Sequence, residues 1–417
     1  MRVSRRTLLG AAGSAAVAYT IAGCGGGTST RGRPELEFAT FYTGEDGPTM
    51  QDIVDRYNQS QDEVTIRFTA PAYGADYVTK IRTAALAGRA PAIVALHNNE
   101  IPPLAPYLHE VSPEDLGLRR EDFSPVAWDL PRYEGRLLGV TMSTGTQALY
   151  YHRDHFEKAG LDPERPPANQ ADLVAAARAL TRDGRYGMAR DAEDWLPWYT
   201  YHWQAGGELL AADGRTATFD SPAAIDAAQF EQDLITRYRA VHPTHVQSRN
   251  LGQVFFSGKV SMLYGGPWHL APVMKSNQEA GTNIGWAPFP SVFTTRPAIQ
   301  STSHIYCLTK QDDRTLELAG KFLSWVLTTG SAMWARSQAP TYKKSLDELS
   351  ASADPLVRAM TLWIRQGDSA RFLPIHPRWS EVSRSLTGAM QRIMFRGAPV
   401  AGTLREEVRR ANAILGR

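Results

Sequence analysis

Cysteine is almost absent from this chain: there are two in 417 residues, Cys24 and Cys307. Cys24 falls in an export head, so Cys307 has no partner and no internal disulfide is expected. Charge of one sign is also lacking. Forty-five basic residues face 43 acidic ones, a formal net charge of +2. Loss of Arg2, Arg5 and Arg6 with a leader turns this into about −1, which excludes a general attraction to nucleic acid or anionic lipid. No apolar run reaches the roughly 18 residues that a membrane span needs. The run from Leu8 to Ala22 is too short and too rich in Ala and Gly. Zinc-ligand spacing, a phosphate-binding loop, Gly-x-Ser-x-Gly and a dinucleotide fingerprint are all missing, so no metal or cofactor is expected.

What is present begins at the N-terminus. Ser4-Arg5-Arg6-Thr7-Leu8-Leu9 opens the short apolar run, and Ile21-Ala22-Gly23-Cys24 closes it. The arginine pair resembles a twin-arginine export signal. Ile-Ala-Gly-Cys resembles a lipobox, whose small residues admit a peptidase and whose cysteine then carries lipid. An ordinary cleaved signal with an incidental cysteine is the plain alternative. The expected division is a signal peptide at 1–23, then a lipidated Cys24 and Gly-rich tether at 24–33. The product is an exported protein held at the outer face of the cytoplasmic membrane by its lipid anchor alone.

The body has the length of two domains. Leu36–Tyr42 alternates as a strand, 49–60 has helical spacing, and 64–68 reads as a second strand. Residues 77–88 read as a helix and 91–96 as a buried strand. This alternation predicts a parallel sheet flanked by helices, hence an α/β fold. Strands follow at 137–141, 147–152, 260–264, 284–287 and 304–308, with helices at 171–180, 195–204 and 221–238. The last third reads as helical: 313–328, 331–337, 355–365, 380–396 and 400–415. Cys307, inside Ile305-Tyr306-Cys307-Leu308, reads as a small buried hydrophobe.

Several segments together resemble the extracellular solute-binding proteins of ABC importers, in the group of maltose- and glycerol-3-phosphate-binding proteins. Phe255-Phe256-Ser257-Gly258-Lys259-Val260-Ser261-Met262 through Gly266-Pro267-Trp268 is similar to the recurring F-x-x-G-K-x-A-M-x-x-x-G-x-W, with Ser261 for Ala. Leu149-Tyr150-Tyr151-His152-Arg153-Asp154 through Lys158-Ala159-Gly160 is similar to L-Y-Y-N-K-D-x-F-x-K-A-G, with His152 for Asn. Gly88-Arg89-Ala90-Pro91-Ala92-Ile93 is similar to G-x-x-P-D-[IV], with Ala92 for Asp. The resemblance implies two interleaved lobes, a periplasmic-binding-protein-like fold, and closure on a ligand. Lobe one would take 34–138 and 297–338, and lobe two 139–296 and 339–417.

By this resemblance the candidate contacts form three groups. Tyr42, Thr43, Glu45 and Asp46 follow the first strand, and His97, Asn98 and Asn99 follow the third. Thr144, Trp195, Trp198, Gly265, Gly266 and Trp268 lie in the middle of the chain. Ser303 and His304 stand where the family usually has Gly-Gly, and Tyr342, Arg371, His376, Arg378 and Trp379 complete the C-terminal wall. Aromatic faces suit sugar C–H surfaces, and fixed polar groups replace lost water. Each residue has a packing or surface alternative: Trp198 and Trp268 as core, Arg378 as half of an ion pair. The leading expectation is a non-enzymatic, monomeric protein that delivers a small polar solute, a saccharide, to permease subunits. A glycerol phosphate or glycerophosphodiester, met by Arg371, His376 and Arg378, is the second expectation. A hydrolase using Glu45, Asp46, Glu100, Asp191, Glu193 or Asp194 is the third, although no motif joins two of these.

Overall fold

The computed structural model describes residues 33–42, 46–70, 75–190, 197–242 and 248–416. The expected signal, Cys24 and tether lie outside the described residues, as do Thr43, Glu45 and Trp195 and the carboxylates Asp191, Glu193 and Asp194. Among the described residues no helix is long and apolar enough to cross a membrane.

The strands in chain order are β1 Glu35–Ala39, β2 Thr65–Thr69, β3 Ile93–Leu96, β4 Arg132–Tyr133, β5 Arg136–Leu137, β6 Val140–Thr146 and β7 Ala148–His152. Then come β8 Tyr186–Met188, β9 Val260–Gly265, β10 Ile284–Pro288, β11 Ile299–Leu308, β12 Ala339–Pro340 and β13 Ala370–Arg371. One large sheet has the order β12-β6-β11-β3-β1-β2, with β13 also on β11. A smaller sheet has the order β10-β7-β9-β8, and β4 and β5 form a hairpin. β1 is parallel to β2 and to β3, as the strand-helix alternation predicts, while β11 runs antiparallel between β3 and β6. The molecule is thus a two-lobed α/β protein, each lobe built on one sheet. β6 ends in the large sheet at Thr146, and β7 begins in the small one at Ala148, so Gln147 alone joins them.

Periodicity explains why β7 can sit inside a layered lobe. Successive side chains of Ala-Leu-Tyr-Tyr alternate faces. Leu149 and Tyr151 enter one apolar cluster, with Met262, Tyr264 and the helix Trp379–Arg396. Ala148 and Tyr150 enter another, with Leu263, Val273 and Trp363. A third cluster fills the large-sheet lobe and contains Phe38, Ile93, Cys307, Phe322 and Trp334. Cys307 is buried and free, as expected.

Three expectations about elements need correction. The pair of helices expected at 313–328 and 331–337 is one helix, Asp313–Trp334. Gly330 lies within this helix, and a Cβ there would stand 3.0 Å from the Ile53 side chain of the helix Asp46–Ser60. Its lack of a side chain serves close helix packing. The strand expected at 304–308 begins five residues earlier, at Ile299. The helix Lys343–Ala351 has no counterpart in the sequence reading.

Candidate functional site

Ligands of open α/β sheets sit beyond the carboxyl ends of the strands. In the large sheet those ends carry Phe41 and Tyr42 after β1 and His97 and Asn98 after β3. The antiparallel register Ile305↔Leu96 brings Ser303 and His304 of β11 alongside them. His97 Nδ1 lies 2.6 Å from the Ser303 carbonyl. A carbonyl only accepts, so this ring nitrogen carries its proton. The Asn98 backbone N–H donates to Ser303 Oγ at 3.0 Å, and Ser303 Oγ lies 3.2 Å from Asn98 Oδ1. Ser303, one of the two residues that depart from Gly-Gly, therefore ties β11 to the β3 loop.

Six rings pack around this edge. Tyr42 lies 4.9 Å from Trp334, 5.3 Å from His304 and 5.0 Å from Phe41, centroid to centroid. Phe41 lies 4.4 Å from His97. Tyr42 donates its hydroxyl to Tyr306 Oη at 3.2 Å. Burial, and then the neighbouring Tyr306, raises the Tyr42 phenol well above its ordinary range, so it stays protonated. Trp334 Nε1 donates to Ser143 Oγ at 2.8 Å, and Ser143 Oγ in turn lies 2.9 Å from His304 Nδ1. Burial, helped by His97, drives the His304 pKa well below normal. This edge is aromatic and rich in hydrogen-bonding groups.

Where the sheets meet, β6 and β11 carry an unusual load of buried polar residues. Every residue of β11 is buried, including Gln300, Ser301, Thr302, Ser303 and His304. Gly145 of β6 permits a tight approach: a Cβ there would stand 2.8 Å from Gln338 Oε1, 3.2 Å from Thr302 Oγ1 and 3.3 Å from Pro267. Gln338 Nε2 donates to Asp46 Oδ2 at 3.0 Å. Among the described residues, Gln147 Oε1, Gln300 Oε1, Gln338 Oε1 and Trp379 Nε1 are buried without a hydrogen-bond partner. Each unmet group of this kind costs about 1–3 kcal/mol. Gln300 and Gln338 escaped the sequence reading, as did Trp334 and Tyr306; a wholly buried strand reading Gln-Ser-Thr-Ser-His was the available signal.

The two lobes touch directly. Asn98 Nδ2 donates to the Leu373 carbonyl at 2.7 Å, and Leu373 packs on the cluster that holds Trp379. Gln366 Nε2 donates to Thr146 Oγ1 at 3.1 Å and to the Gln147 carbonyl at 3.2 Å. Thr144 pairs with Ser303 and Ala339 in the ladders of the same sheet, and Asn99 is half-buried beside Asn98.

Other candidates sit elsewhere. Trp198 is fully buried in the core of the small-sheet lobe, stacked 5.0 Å from His202, with Nε1 donating to the Ala224 carbonyl at 3.0 Å. Its helical neighbours are all buried too, so it packs instead of facing a cleft. Gly265 and Gly266 make room for protein rings: their absent Cβ atoms would collide with His269 and with Trp268 respectively. Trp268 itself is half-buried over that turn. Tyr342 packs 5.1 Å from Phe123.

The cationic candidates already hold carboxylates. Arg371 donates to both oxygens of Glu208, at 2.9 and 2.8 Å, and Arg296 reaches the same carboxylate at 2.8 Å. Arg378 Nε donates to Glu381 Oε1 at 3.0 Å, and its backbone N–H donates to His376 Nδ1 at 3.1 Å. Trp379 is buried at the first turn of its helix. Of the carboxylates considered for hydrolysis, Glu100 accepts the His97 backbone N–H at 2.8 Å and Asp46 receives Gln338, so the two cap and brace the fold. A groove of about 750 Å³ on the large-sheet lobe, lined by His109, Leu116, Lys321 and Trp325, includes none of these residues.

Two sheet-based lobes joined by crossing strands, with a polar and aromatic strip between them, define a solute-binding protein of the two-jawed kind. Residues 42–333 match the family model of the bacterial extracellular solute-binding proteins, and the chain belongs to that family. A putative binding protein of Brucella abortus is 29% identical over 300 residues, covering 68% of this chain and 69% of that protein. The sn-glycerol-3-phosphate-binding periplasmic protein of Yersinia pestis is 29% identical over 174 residues, 39% of each chain. In fold the chain is similar to the ABC substrate-binding protein Lmo0181 of Listeria monocytogenes, solved with cycloalternan: TM-score 0.80, 19% identity, 92% of this chain and 99% of that one. It is also similar to UgpB of Mycobacterium tuberculosis in complex with glycerophosphocholine, with TM-score 0.79, 19% identity, and 92% and 99% covered.

Proposed function

We propose that this protein captures an uncharged saccharide between its lobes and presents it to the membrane subunits of an ABC importer, without altering it chemically. One observation carries the reading: Gln147, Gln300 and Gln338 offer acceptors, and Trp379 an indole donor, that are buried without a partner among the described residues. Hydroxyls, which both donate and accept, complement such a set. The ring cluster around Tyr42 supplies apolar faces for sugar C–H surfaces. Asn99 and Thr144 complete the rim, and Thr43 and Glu45 stay candidate contacts on the sequence alone. Solved relatives in complex with cycloalternan and maltose add support.

In this reading the chain crosses between lobes at Gln147 instead of at 138–139, and β12 and β13, both within the segment expected in lobe two, pair in the large sheet. Cys24 carries the lipid, the Gly-rich segment is a tether, and the body works as a monomer at the outer membrane face. Binding favours the closed state by its differential affinity for the two.

A second reading, a glycerol phosphate or glycerophosphodiester, is favoured by the glycerol-3-phosphate-binding relative and by the glycerophosphocholine complex. Against it, Arg371 and Arg378 are engaged by Glu208 and Glu381. Calorimetry of the delipidated protein against mono-, di- and oligosaccharides, sn-glycerol-3-phosphate and glycerophosphocholine separates the two. Saccharide binding with silence toward the phosphates is expected; binding of the phosphates alone overturns the saccharide reading.

A further inference from the structure

His152, Asp154 and His155 stand together at the end of β7 remote from the crossover at Gln147, on the turn into the helix Arg153–Lys158. Their ligand-capable atoms all lie within 4.8 Å of one another. The two imidazoles stack, 4.4 Å between centroids and 19° between planes. Each ring is held by the nitrogen that does not face the carboxylate. His152 Nε2 lies 3.0 Å from the Phe255 carbonyl, so it carries the proton and Nδ1 carries the lone pair. His155 Nδ1 is held by Ser261 Oγ at 3.1 Å, which turns Nε2 toward the carboxylate.

The distances to Asp154 are informative. His152 Nδ1 stands 4.0 Å from Oδ1, and His155 Nε2 stands 3.9 Å from Oδ2. Both are too long for hydrogen bonds. A tetrahedral ion with bonds of about 2.0–2.2 Å holds its ligand atoms about 3.3–3.6 Å apart, so a contraction of roughly half an ångström brings all three groups onto one ion. We propose that His152, Asp154 and His155 bind one borderline divalent cation, Zn²⁺ foremost, at the solvent-reached end of β7.

Two departures from the family motifs converge here. His152 replaces the Asn of one motif, and Ser261 replaces the Ala of another more than a hundred residues later. One supplies a ligand, and the other orients the second imidazole from outside the ligand set, the arrangement seen around metal-bound histidines. The two imidazoles are nearly buried, whereas the Asp154 side chain is 37% exposed, which leaves an approach and a fourth position for water. Lys158 Nζ, 3.2 Å from Asp154 Oδ2, is the competing cation that the ion displaces. Two nitrogens and one carboxylate select Zn²⁺ over Mg²⁺ or Ca²⁺, which prefer all-oxygen sets. The ion would pin the β7 turn to β9 through Ser261.

The test is a Zn²⁺ titration of the full chain, prepared without a histidine tag and stripped of metal, against a chromophoric chelator. One Zn²⁺ per chain is expected, unaffected by excess Mg²⁺, together with a rise in Tm. Asp154→Asn, at a part-exposed position that tolerates the change, and His155→Gln each lower affinity at least about tenfold. Ser261→Ala lowers it while leaving the stoichiometry at one. Co²⁺ in place of Zn²⁺ gives the visible bands of a four-coordinate site, absent in His155→Gln. No stoichiometric binding, or equal affinity in wild type, Asp154→Asn and a His155→Gln variant whose circular dichroism is native, overturns the proposal.

Discussion

Asn98 reaches from the large-sheet lobe to the other: its Nδ2 donates to the Leu373 carbonyl at 2.7 Å. Its Oδ1 is meanwhile 3.2 Å from Ser303 Oγ, so the amide is oriented by β11 while its nitrogen holds Leu373. In the proposed reading, a bond between the two lobes favours the closed state. Asn98→Ala removes about 0.5–1.5 kcal/mol from that state, so solute affinity falls about threefold to tenfold with little change in Tm. Calorimetry and a thermal melt on the same sample check this.

Trp379 is packed as a core residue, yet its Nε1 has no partner among the described residues. Trp379→Phe keeps most of the ring and removes the donor. Stability should drop by no more than about 1.5 kcal/mol, as for other near-isosteric core changes, while solute affinity falls at least about fivefold. Equal affinity with reduced stability would make Trp379 a packing residue alone.

Arg190 and Glu231 form an ion pair at 3.0 Å with both side chains fully buried, and Arg190 also lies over the rings of Tyr264 and Tyr201, at 4.9 and 5.9 Å. Removing one partner strands the other charge. Glu231→Ala is expected to cost about 3–5 kcal/mol in urea unfolding, more than any single change proposed at the cleft.

Histidine burial sets the acid limb of stability. Burial lowers His269 to about 4 and His304 well below normal, with His97 adding to the latter. The unfolded chain takes up these protons below about pH 6.5, and the native state refuses them until far lower. Their stabilisation is therefore complete above pH 6.5 and is lost as pH falls toward 4, at up to about 1.4 kcal/mol per pH unit for each group. Burial raises Glu100 and Glu231, which act in the opposite sense nearer the carboxylate range. Urea midpoints at pH 7 and pH 5 should differ, and His269→Gln should narrow the gap; an unchanged gap in that variant contradicts the assignment.

Much of the architecture was legible because period and punctuation agreed. Ser221 caps the helix Pro222–Thr236 through its side chain, with Pro at the first turn, and Asn169 caps Gln170–Leu180, as their sequence positions imply. The end of β3 stood out in the sequence because a buried apolar run gives way abruptly to His-Asn-Asn-Glu. Residues such as Trp198 were ambiguous for a physical reason: an aromatic helix next to a cleft and one inside a core have the same composition. Gln338 stayed hidden because a lone glutamine carries no local signal, and Gln300 because the polar run Gln-Ser-Thr-Ser-His does not reveal that its strand is wholly buried. Their role depends on Gly145, Asp46 and Thr200, which the chain brings in from elsewhere.

The most direct measurement is a crystal structure with the tightest saccharide from the calorimetric panel. The account expects density for one sugar between the large and small sheets, within hydrogen-bond distance of Gln338 Oε1 and Trp379 Nε1, with a ring face against the Tyr42 cluster. A sugar bound outside this strip, or one that leaves both Gln338 and Trp379 unpartnered, would contradict it.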